Sequence, residues 1–436
     1  MSAIRRLRAL IAEPRTLAFV DQCIVSCSNF LVMLIIGRRL PAAEFGFFTL
    51  AMLAILFVSN LHRALLTQPL NVLGPRDSET TLGSRLAVLL GAHAVVVPVS
   101  IVIVVALSIK FFPQGHLVLG ACIYLTFFFL QETLRRYWYT VERLRLAVLS
   151  DLISYGGQMV VLAIAGLYFT IDGEGSFLIM AAASLVATVV SLRLAGPLRF
   201  GARATARTIV VEHWQMSRWL LLTVFALWGS SQLYPFLIAS LGPASIALFA
   251  VSRNLLNVMN VVVQSVLNYL PTRATALLRQ QGEGEFRRHL ARTLVLTGLG
   301  SVVFVLAMQV LAYPVLHVLY RGAYDAAVPV LRMLSAGMAF SLAGAVLGSY
   351  SLAMHDSRST FLANLGSSVF TFTGGLWLIH AHGIYGAAIA ACLSLAVAAA
   401  LQGGFVMVRL NRLAKHEPAR HAGTSTQATP VVQGKS

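Results

Sequence analysis

Twelve long apolar segments constrain this chain to cross a membrane many times. A helix needs about 20 predominantly apolar residues to span the hydrocarbon core of a bilayer. The segments cover residues 17–37, 45–66, 84–109, 115–137, 146–170, 174–196, 217–240, 244–270, 292–318, 328–352, 359–380 and 384–408. Only 11% of the 436 residues are charged, whereas a soluble domain carries about 25%. The sequence predicts an all-α polytopic membrane protein with about twelve transmembrane helices.

The basic residues predict how the chain is oriented. An even number of spans puts both termini on one side, and that side carries 26 of the 33 Lys and Arg residues. Arg63 and Arg253 lie inside spans. The opposite side carries five: Arg38, Arg39, Lys110, Arg321 and Arg332. Because Lys and Arg concentrate in cytoplasmic loops, we expect both termini in the cytoplasm. The same rule accounts for the net charge of +17 without a nucleic-acid partner.

Three pairs of similar short sequences recur in the same order in the two halves. LPAAEFGFFTL (40–50) resembles GPASIALFAV (242–251), SDLISYGGQ resembles FLANLGSSV, and DGEGSFLIMAAASL resembles HGIYGAAIAACLSL. The nearly constant offset predicts a duplicated six-helix unit, with the substrate path between the two copies. We expect a basic cytoplasmic tail (1–16), a six-helix lobe (17–196), a cytoplasmic linker (197–216), a second six-helix lobe (217–408) and a disordered cytoplasmic tail (409–436).

One predicted span carries a stripe of polar side chains. Arg253, Asn257, Asn260, Gln264 and Asn268 are spaced by 4, 3, 4 and 4 residues, so they share a helix face. Such a stripe faces either a hydrogen-bonded helix interface or a water-filled cavity. Arg253 favours the cavity, because an arginine in mid-membrane costs at least about 2.5–3.5 kcal/mol. A guanidinium suits a diphosphate or an acidic sugar, so these five residues are candidate substrate ligands.

The first span also has a polar face. Gln22, Ser26 and Asn29 follow a 4, 3 spacing and are predicted to line the same path. In the seventh span, Pro235 predicts a kink.

Charged residues also lie near the cytoplasmic ends of several spans. Asp21 and Arg63 fall at similar depths on consecutive helices, which predicts an ion pair, and Glu132 and Asp151 lie at similar depth. These four residues are either a gate or ion-coupling site, for protons or sodium ions, or a structural cluster. No catalytic constellation, metal site or cofactor is expected. The four cysteines lie in apolar spans, and a pair of histidines at an outer helix end lacks a third ligand.

Several of these stretches resemble bacterial polysaccharide flippases of the Wzx type, in the multidrug/oligosaccharidyl-lipid/polysaccharide (MOP) exporter superfamily. The stretches are DQCIVSCSNFLVMLIIGRRLPAAEFGFFTLA, ALLTQPLNVLGPR, YRGAYDAAVPVLRML and GIYGAAIA. The matching residues near the start are Asp21-Gln22, Ser26, Asn29-Phe30, Leu40-Pro41, Glu44-Phe45-Gly46 and Thr67-Gln68-Pro69.

The resemblance implies two six-helix bundles, as in MATE-like transporters, that work by alternating access. It implies translocation of undecaprenyl-diphosphate-linked oligosaccharides to the periplasmic leaflet of the bacterial inner membrane, for lipopolysaccharide or exopolysaccharide biosynthesis. The implied partners are this lipid-linked substrate, membrane lipids, and the polysaccharide polymerase with its chain-length machinery.

Three alternatives stay open. A MATE-like drug/cation antiporter should place acidic residues in its cavity, whereas the polar stripe offers an arginine and amides. A flippase for the peptidoglycan precursor often has helices beyond twelve. A membrane glycosyltransferase or polymerase, which would be an enzyme, needs a sizeable extramembrane loop or a clustered acid/base site, and the predicted outer loops are very short.

Overall fold

The computed structural model describes residues 14–195, 203–354 and 356–424, which form helices and short turns with no strand among them. The first half of the chain comprises α1 (Pro14–Arg39), α2 (Ala42–His62), a π-helix (Arg63–Thr67), α3 (Gln68–Leu73), a 3₁₀-helix (Gly74–Arg76), α4 (Glu79–Phe111), α5 (Gly115–Thr140), α6 (Leu144–Asp151), a second π-helix (Leu152–Gly156), α7 (Gly157–Tyr168) and α8 (Gly173–Ala195).

The second half of the chain also consists of long helices separated by short breaks. It comprises α9 (Arg203–Ser231), α10 (Tyr234–Leu237), a 3₁₀-helix (Ala239–Leu241), α11 (Pro243–Gln280), α12 (Gly282–Tyr320), a 3₁₀-helix (Asp325–Ala327), α13 (Val328–Ala353), α14 (Ser357–Phe370), a π-helix (Thr371–Gly375) and α15 (Leu376–Thr424). A π-helix interrupts the fifth span of each half, which is the arrangement expected of two related six-helix units.

The prediction of about twelve spans in two bundles is confirmed. In the described part of the chain, nine helical segments are long and apolar enough to cross a bilayer. One of them, Arg358–Arg412, has 55 residues and makes two crossings, because its backbone turns at Gly383 (φ 60°, ψ −132°). Such a positive φ favours glycine. Helices α9 and α11 are more polar but, with 29 and 38 residues, are long enough for the remaining two spans.

Several helices extend beyond the predicted spans. Residues 203–216 of the predicted linker are the first turns of α9, while 196–202 lie outside the described residues. Helix α15 continues to Thr424, so residues 409–424 of the tail predicted to be disordered are helical, and 425–436 are not described.

One apolar core joins the two halves, and it lies toward the end of the helices at which α1 ends and α2 begins, which we name the outer end. This core includes Phe45 and Phe48 of α2 together with Phe249 of α11 and Tyr320 of α12. At the opposite, inner end, two smaller clusters are separate. One, around Phe286, belongs to the second half, and another belongs to the first. The shared core therefore joins the halves at the outer end, whereas at the inner end α9 contacts the first half through Ser217 and through the ion pair of Glu212 with Arg85.

Close backbone contact seals this outer end. A Cβ atom on Gly46 would lie 2.0 Å from the carbonyl oxygen of Pro243, so only glycine allows α2 and α11 to approach this closely. Beside it, the rings of Phe45 and Tyr324 meet edge to face, with centroids 6.0 Å apart. Arg38 donates to the carbonyl of Val318 at 3.1 Å, which places a cation at the carboxyl end of α12.

The Gly46 contact gives a first prediction. Gly46→Ala should force α2 away from α11 and weaken the outer seal, which lowers the midpoint of thermal unfolding of the purified protein and exposes outer-end cysteines introduced for labelling. The matched control is Gly91→Ala in α4, where an added Cβ meets no atom within 4 Å. Alanine in place of a helical glycine there should be neutral or stabilising by up to about 1 kcal/mol. Equal behaviour of the two variants would show that the helices are not in close contact at Gly46.

Candidate functional site

A cavity of about 160 Å³ lies within the second half of the molecule. Helices α11, α13 and α15 form its walls, and the break between α9 and α10 closes one side. The lining residues are Gln232, Phe249, Arg253, Leu256, Asn257, Leu334, Gly337, Met338, Ser341, Ala391, Cys392 and Leu395. None of them is acidic. Arg253 is therefore the only charged side chain among these lining residues, and it makes the cavity electropositive.

Arg253 is held at the cavity wall by a neutral partner. Its Nη2 donates to the side-chain oxygen of Gln232 at 2.8 Å. None of the ion pairs in the described part of the chain includes Arg253. A guanidinium has five N–H donors, so this single bond leaves donors for an incoming anion. Arg253 is ten residues into α11, about 15 Å from its start.

The seventh span breaks where the sequence predicts a kink. Helix α9 ends at Ser231, and α10 begins at Tyr234 with Pro235 in its first turn. Proline cannot continue an upstream helix, so the break leaves Gln232 between the two segments. The side chain of Gln232 faces Arg253 rather than capping its own backbone, a role that the sequence did not indicate.

The polar stripe of α11 is described only in part. Asn257 lines the cavity with Arg253, as predicted. The side chains of Asn260, Gln264 and Asn268 lie outside the described residues, although their backbone is helical. Their predicted part in substrate binding stays a prediction.

The polar face of α1 is accessible. Gln22 and Asn29 are exposed, and Gln22 donates to the hydroxyl of Ser26 at 3.0 Å. Phe30, one turn after Ser26, has its carbonyl 3.3 Å from the amide nitrogen of Asn254 on α11. Helix α1 therefore meets α11 at Asn254, one turn beyond Ser26.

A buried ionic cluster lies toward the inner end of the first half, and Arg135 of α5 is its centre. Arg135 is 2.9 Å from Asp21, 3.2 Å from Glu132 and 2.5 Å from Asp151. All four side chains are less than a tenth exposed. Glu132 also pairs with Arg136 at 2.8 Å. The structure thus brings together three of the four residues predicted as a gate or ion-coupling site.

The predicted ion pair between Asp21 and Arg63 is wrong. Asp21 pairs with Arg135 and also accepts from the hydroxyl of Tyr139. Arg63 forms none of the ion pairs of the described residues and affects the cluster through longer-range interaction with Glu132. Depth along the helices alone could not choose between several arginines near the same level. The i, i+3 and i, i+4 spacing of Glu132, Arg135 and Arg136 was the signal available in the sequence.

Comparisons with known proteins identify the fold. No protein-family model and no curated protein sequence matches the chain. Among solved structures, it is similar to a multidrug-resistance MATE-family transporter of the MOP superfamily in an inward-facing conformation, with a TM-score of 0.70 at 14% identity, covering 91% of this chain and 96% of that one.

Two further structures have the same fold. The lipid II flippase MurJ, in an inward closed conformation, gives a TM-score of 0.71 at 9% identity, with 94% of this chain and 93% of that one covered. A MOP-superfamily transporter from Pyrococcus furiosus is described as having a binding pocket of reversed polarity. It gives a TM-score of 0.59 at 13% identity, with 93% of this chain and 97% of that one covered. The chain therefore has the fold of MOP-superfamily transporters and flippases.

The ionic cluster gives a second prediction. Arg135→Ala should strongly lower the unfolding midpoint in detergent, because removing one partner of a buried ion pair costs about 3–5 kcal/mol. Arg63→Ala should lower the unfolding midpoint clearly less, because Arg63 forms none of the ion pairs of the described residues. Arg288→Ala is the surface control: its pair with Glu285 is exposed and worth about 0–1 kcal/mol. If Arg63→Ala lowered the unfolding midpoint more than Arg135→Ala, the result would support the Asp21–Arg63 pair predicted from the sequence instead.

Proposed function

We propose that this chain is a flippase that moves undecaprenyl-diphosphate-linked oligosaccharides from the cytoplasmic to the periplasmic leaflet of a bacterial inner membrane. Both of its termini lie in the cytoplasm. It acts by alternating access and not as an enzyme, and it works alongside the polymerase and chain-length machinery of polysaccharide biosynthesis. The observation that carries the proposal is Arg253, a cation inside a membrane-embedded cavity with an amide as its partner instead of a carboxylate.

The sign of the charge favours an anionic substrate. A guanidinium in a low-dielectric cavity attracts an anion strongly and repels a cation. The three acids of the ionic cluster, Asp21, Glu132 and Asp151, are each bound by Arg135 and buried. They therefore offer little to a cationic drug. The Pyrococcus furiosus transporter of the same fold, with its reversed pocket polarity, is a precedent for departure from the multidrug pattern.

The size of the cavity limits which part of the substrate it holds. A pocket that encloses a drug-sized ligand has about 300–1,000 Å³. The 160 Å³ beside Arg253 is smaller and suits one charged group, such as a phosphate of the diphosphate linkage. The sugars then occupy the space between the halves, which Gln22 and Asn29 of α1 border. The apolar tail stays in the bilayer.

Gln232 links anion binding at Arg253 to the break in the seventh span. An anion bound to Arg253 competes with the Gln232 amide for the same donors. Gln232 sits at the break in the seventh span, and the inner part of α9 contacts the first half through Ser217, which donates to the carbonyl of Leu65 at 3.0 Å. Releasing Gln232 therefore frees a segment whose other end is attached to the opposite half. In this proposal, substrate binding loosens that break.

Substitutions at Arg253 test the proposal in a strain that depends on this chain for polysaccharide export. Arg253→Ala should insert normally yet lose export, with undecaprenyl-linked repeat units accumulating. The lost charge-assisted contact is worth about 1.5–3 kcal/mol, or about 10- to 150-fold in affinity. Arg253→Lys should retain partial activity, because it keeps the charge and loses the planar fork. Arg253→Glu should be the least active, because it repels the diphosphate.

The matched control is Arg332→Ala, which removes an exposed arginine from the adjacent helix α13 and should leave export unchanged. Membrane levels of every variant are measured by immunoblot, and only variants present at the native level are compared. Native export by Arg253→Ala and Arg253→Glu would contradict an anion-binding role for this cavity.

A further inference from the structure

Two histidines face each other in the interior of the first half, apart from the cavity and the ionic cluster. His62, at the end of α2, and His93, in α4, have their Nε2 atoms 3.2 Å apart. The hydroxyl of Thr133 on α5 lies 3.2 Å from each of these nitrogens. His62 is fully buried, and His93 is 5% exposed. A membrane interior seldom holds two titratable rings in contact unless they have a function.

Two backbone carbonyls, which only accept hydrogen bonds, lie beside the ring nitrogens of His93. Its Nδ1 lies 2.8 Å from the carbonyl oxygen of Leu89, and a carbonyl only accepts, so Nδ1 carries a hydrogen. Its Nε2 lies 3.3 Å from the carbonyl oxygen of Phe129, besides the contacts with His62 and Thr133. A neutral imidazole has one N–H, whereas an imidazolium has two. His93 thus has an acceptor for each of the two hydrogens that the protonated ring would carry.

His62 has a ring nitrogen with no partner. Its Nδ1 is buried and makes no hydrogen bond to any described residue. One face of the His62 ring stacks on the ring of Phe129, with centroids 4.2 Å apart. An unpaired buried polar atom is costly unless it serves a purpose. In the neutral pair, His62 Nε2–H donates to the bare Nε2 of His93, and the His62 Nδ1 lone pair remains available.

We propose that His62 and His93 together bind one proton, and that this proton is the ion coupled to transport. The neutral pair holds two ring hydrogens, one on His93 Nδ1 and one on His62 Nε2. The incoming proton binds the lone pair of His62 Nδ1, and the hydrogen on His62 Nε2 moves to His93 Nε2. The pair then holds three ring hydrogens and one positive charge, located on His93 and facing the Leu89 and Phe129 carbonyls.

The position of the pair connects it to the ionic cluster. Arg63 follows His62 directly and begins the π-helix, and Glu132 precedes Thr133 on α5; both exert an electrostatic effect on His62. A proton on the pair therefore changes the balance that holds Glu132 between its arginines. Further titratable or charged groups on the helices packed against the pair include Arg85 of α4, bound to Asp77 and Glu212; Arg135 and Arg136 of α5; and His213 of α9.

The proton site is tested without any substrate. Full-length protein labelled with ¹⁵N-histidine is placed in lipid nanodiscs, and the ring nitrogen signals are followed by NMR as the pH is lowered. The two rings should titrate together with an uptake of one proton per molecule. His93→Gln and His62→Gln should each abolish this joint transition. Thr133→Val, which keeps both rings, should shift it, and the exposed His380→Gln should leave it intact.

Three results would overturn the site: rings that stay neutral throughout, rings that titrate independently with two protons, or a stoichiometric transition metal that is lost in His62→Gln. The wild-type titration decides the first two even if a variant misfolds.

The coupling rests on the proposed function and has its own test. Proteoliposomes that contain a pH indicator receive undecaprenyl-diphosphate-linked oligosaccharide extracted from cells. Wild-type protein should move protons with the lipid, and His93→Gln should lose the proton flux. Lipid movement without protons would refute coupling alone. Absence of lipid movement in the wild type would refute the proposed function while the NMR result still decides the proton site.

Discussion

The rest of the structure depends on where its apolar core joins the two halves. The core from α1 to α15 is shared at the outer end, where Gly46 lets two helices touch through their backbones. At the inner end each half keeps a separate core. This arrangement closes one side of the molecule, and the exposed Gln22 and Asn29 lie on α1, the helix whose Phe30 contacts Asn254 of α11. The transporter of this fold captured in an inward-facing conformation and the inward closed MurJ are structures with which it aligns over most of its length.

The second constraint is the cost of charge inside a membrane, and the two halves meet it differently. In the first half, Asp21, Glu132 and Asp151 are gathered around Arg135, so that each buried acid has a cation. In the second half, Arg253 has only an amide. A structural ion pair explains the first arrangement. The second keeps a cation available, which is the arrangement that a substrate anion can use.

The fold could be predicted because span length, loop charge and the Pro235 break are local properties of the sequence. The common face of Arg253 and Asn257 on α11 could be predicted for the same reason, since helical spacing fixes which residues share a face. The partners of each charge depend on the rotation and tilt of packed helices, which spacing does not give. For this reason Arg135 was missed as the partner of Asp21, and Gln232 was missed as the partner of Arg253. The contact between His62 and His93 joins two residues that are 31 positions apart on different helices, and it has no sequence signature.

The most direct test of an anionic substrate is to identify the lipid bound to the purified protein. Native mass spectrometry of protein extracted from polysaccharide-producing cells should detect an undecaprenyl-diphosphate-linked oligosaccharide on the wild type, and the bound fraction should fall at least about 10-fold in Arg253→Ala. The same spectra recorded with added tetraphenylphosphonium, a lipophilic cation, should show no specific adduct. Equal lipid occupancy in the two proteins, or stoichiometric binding of the cation at Arg253, would contradict the account.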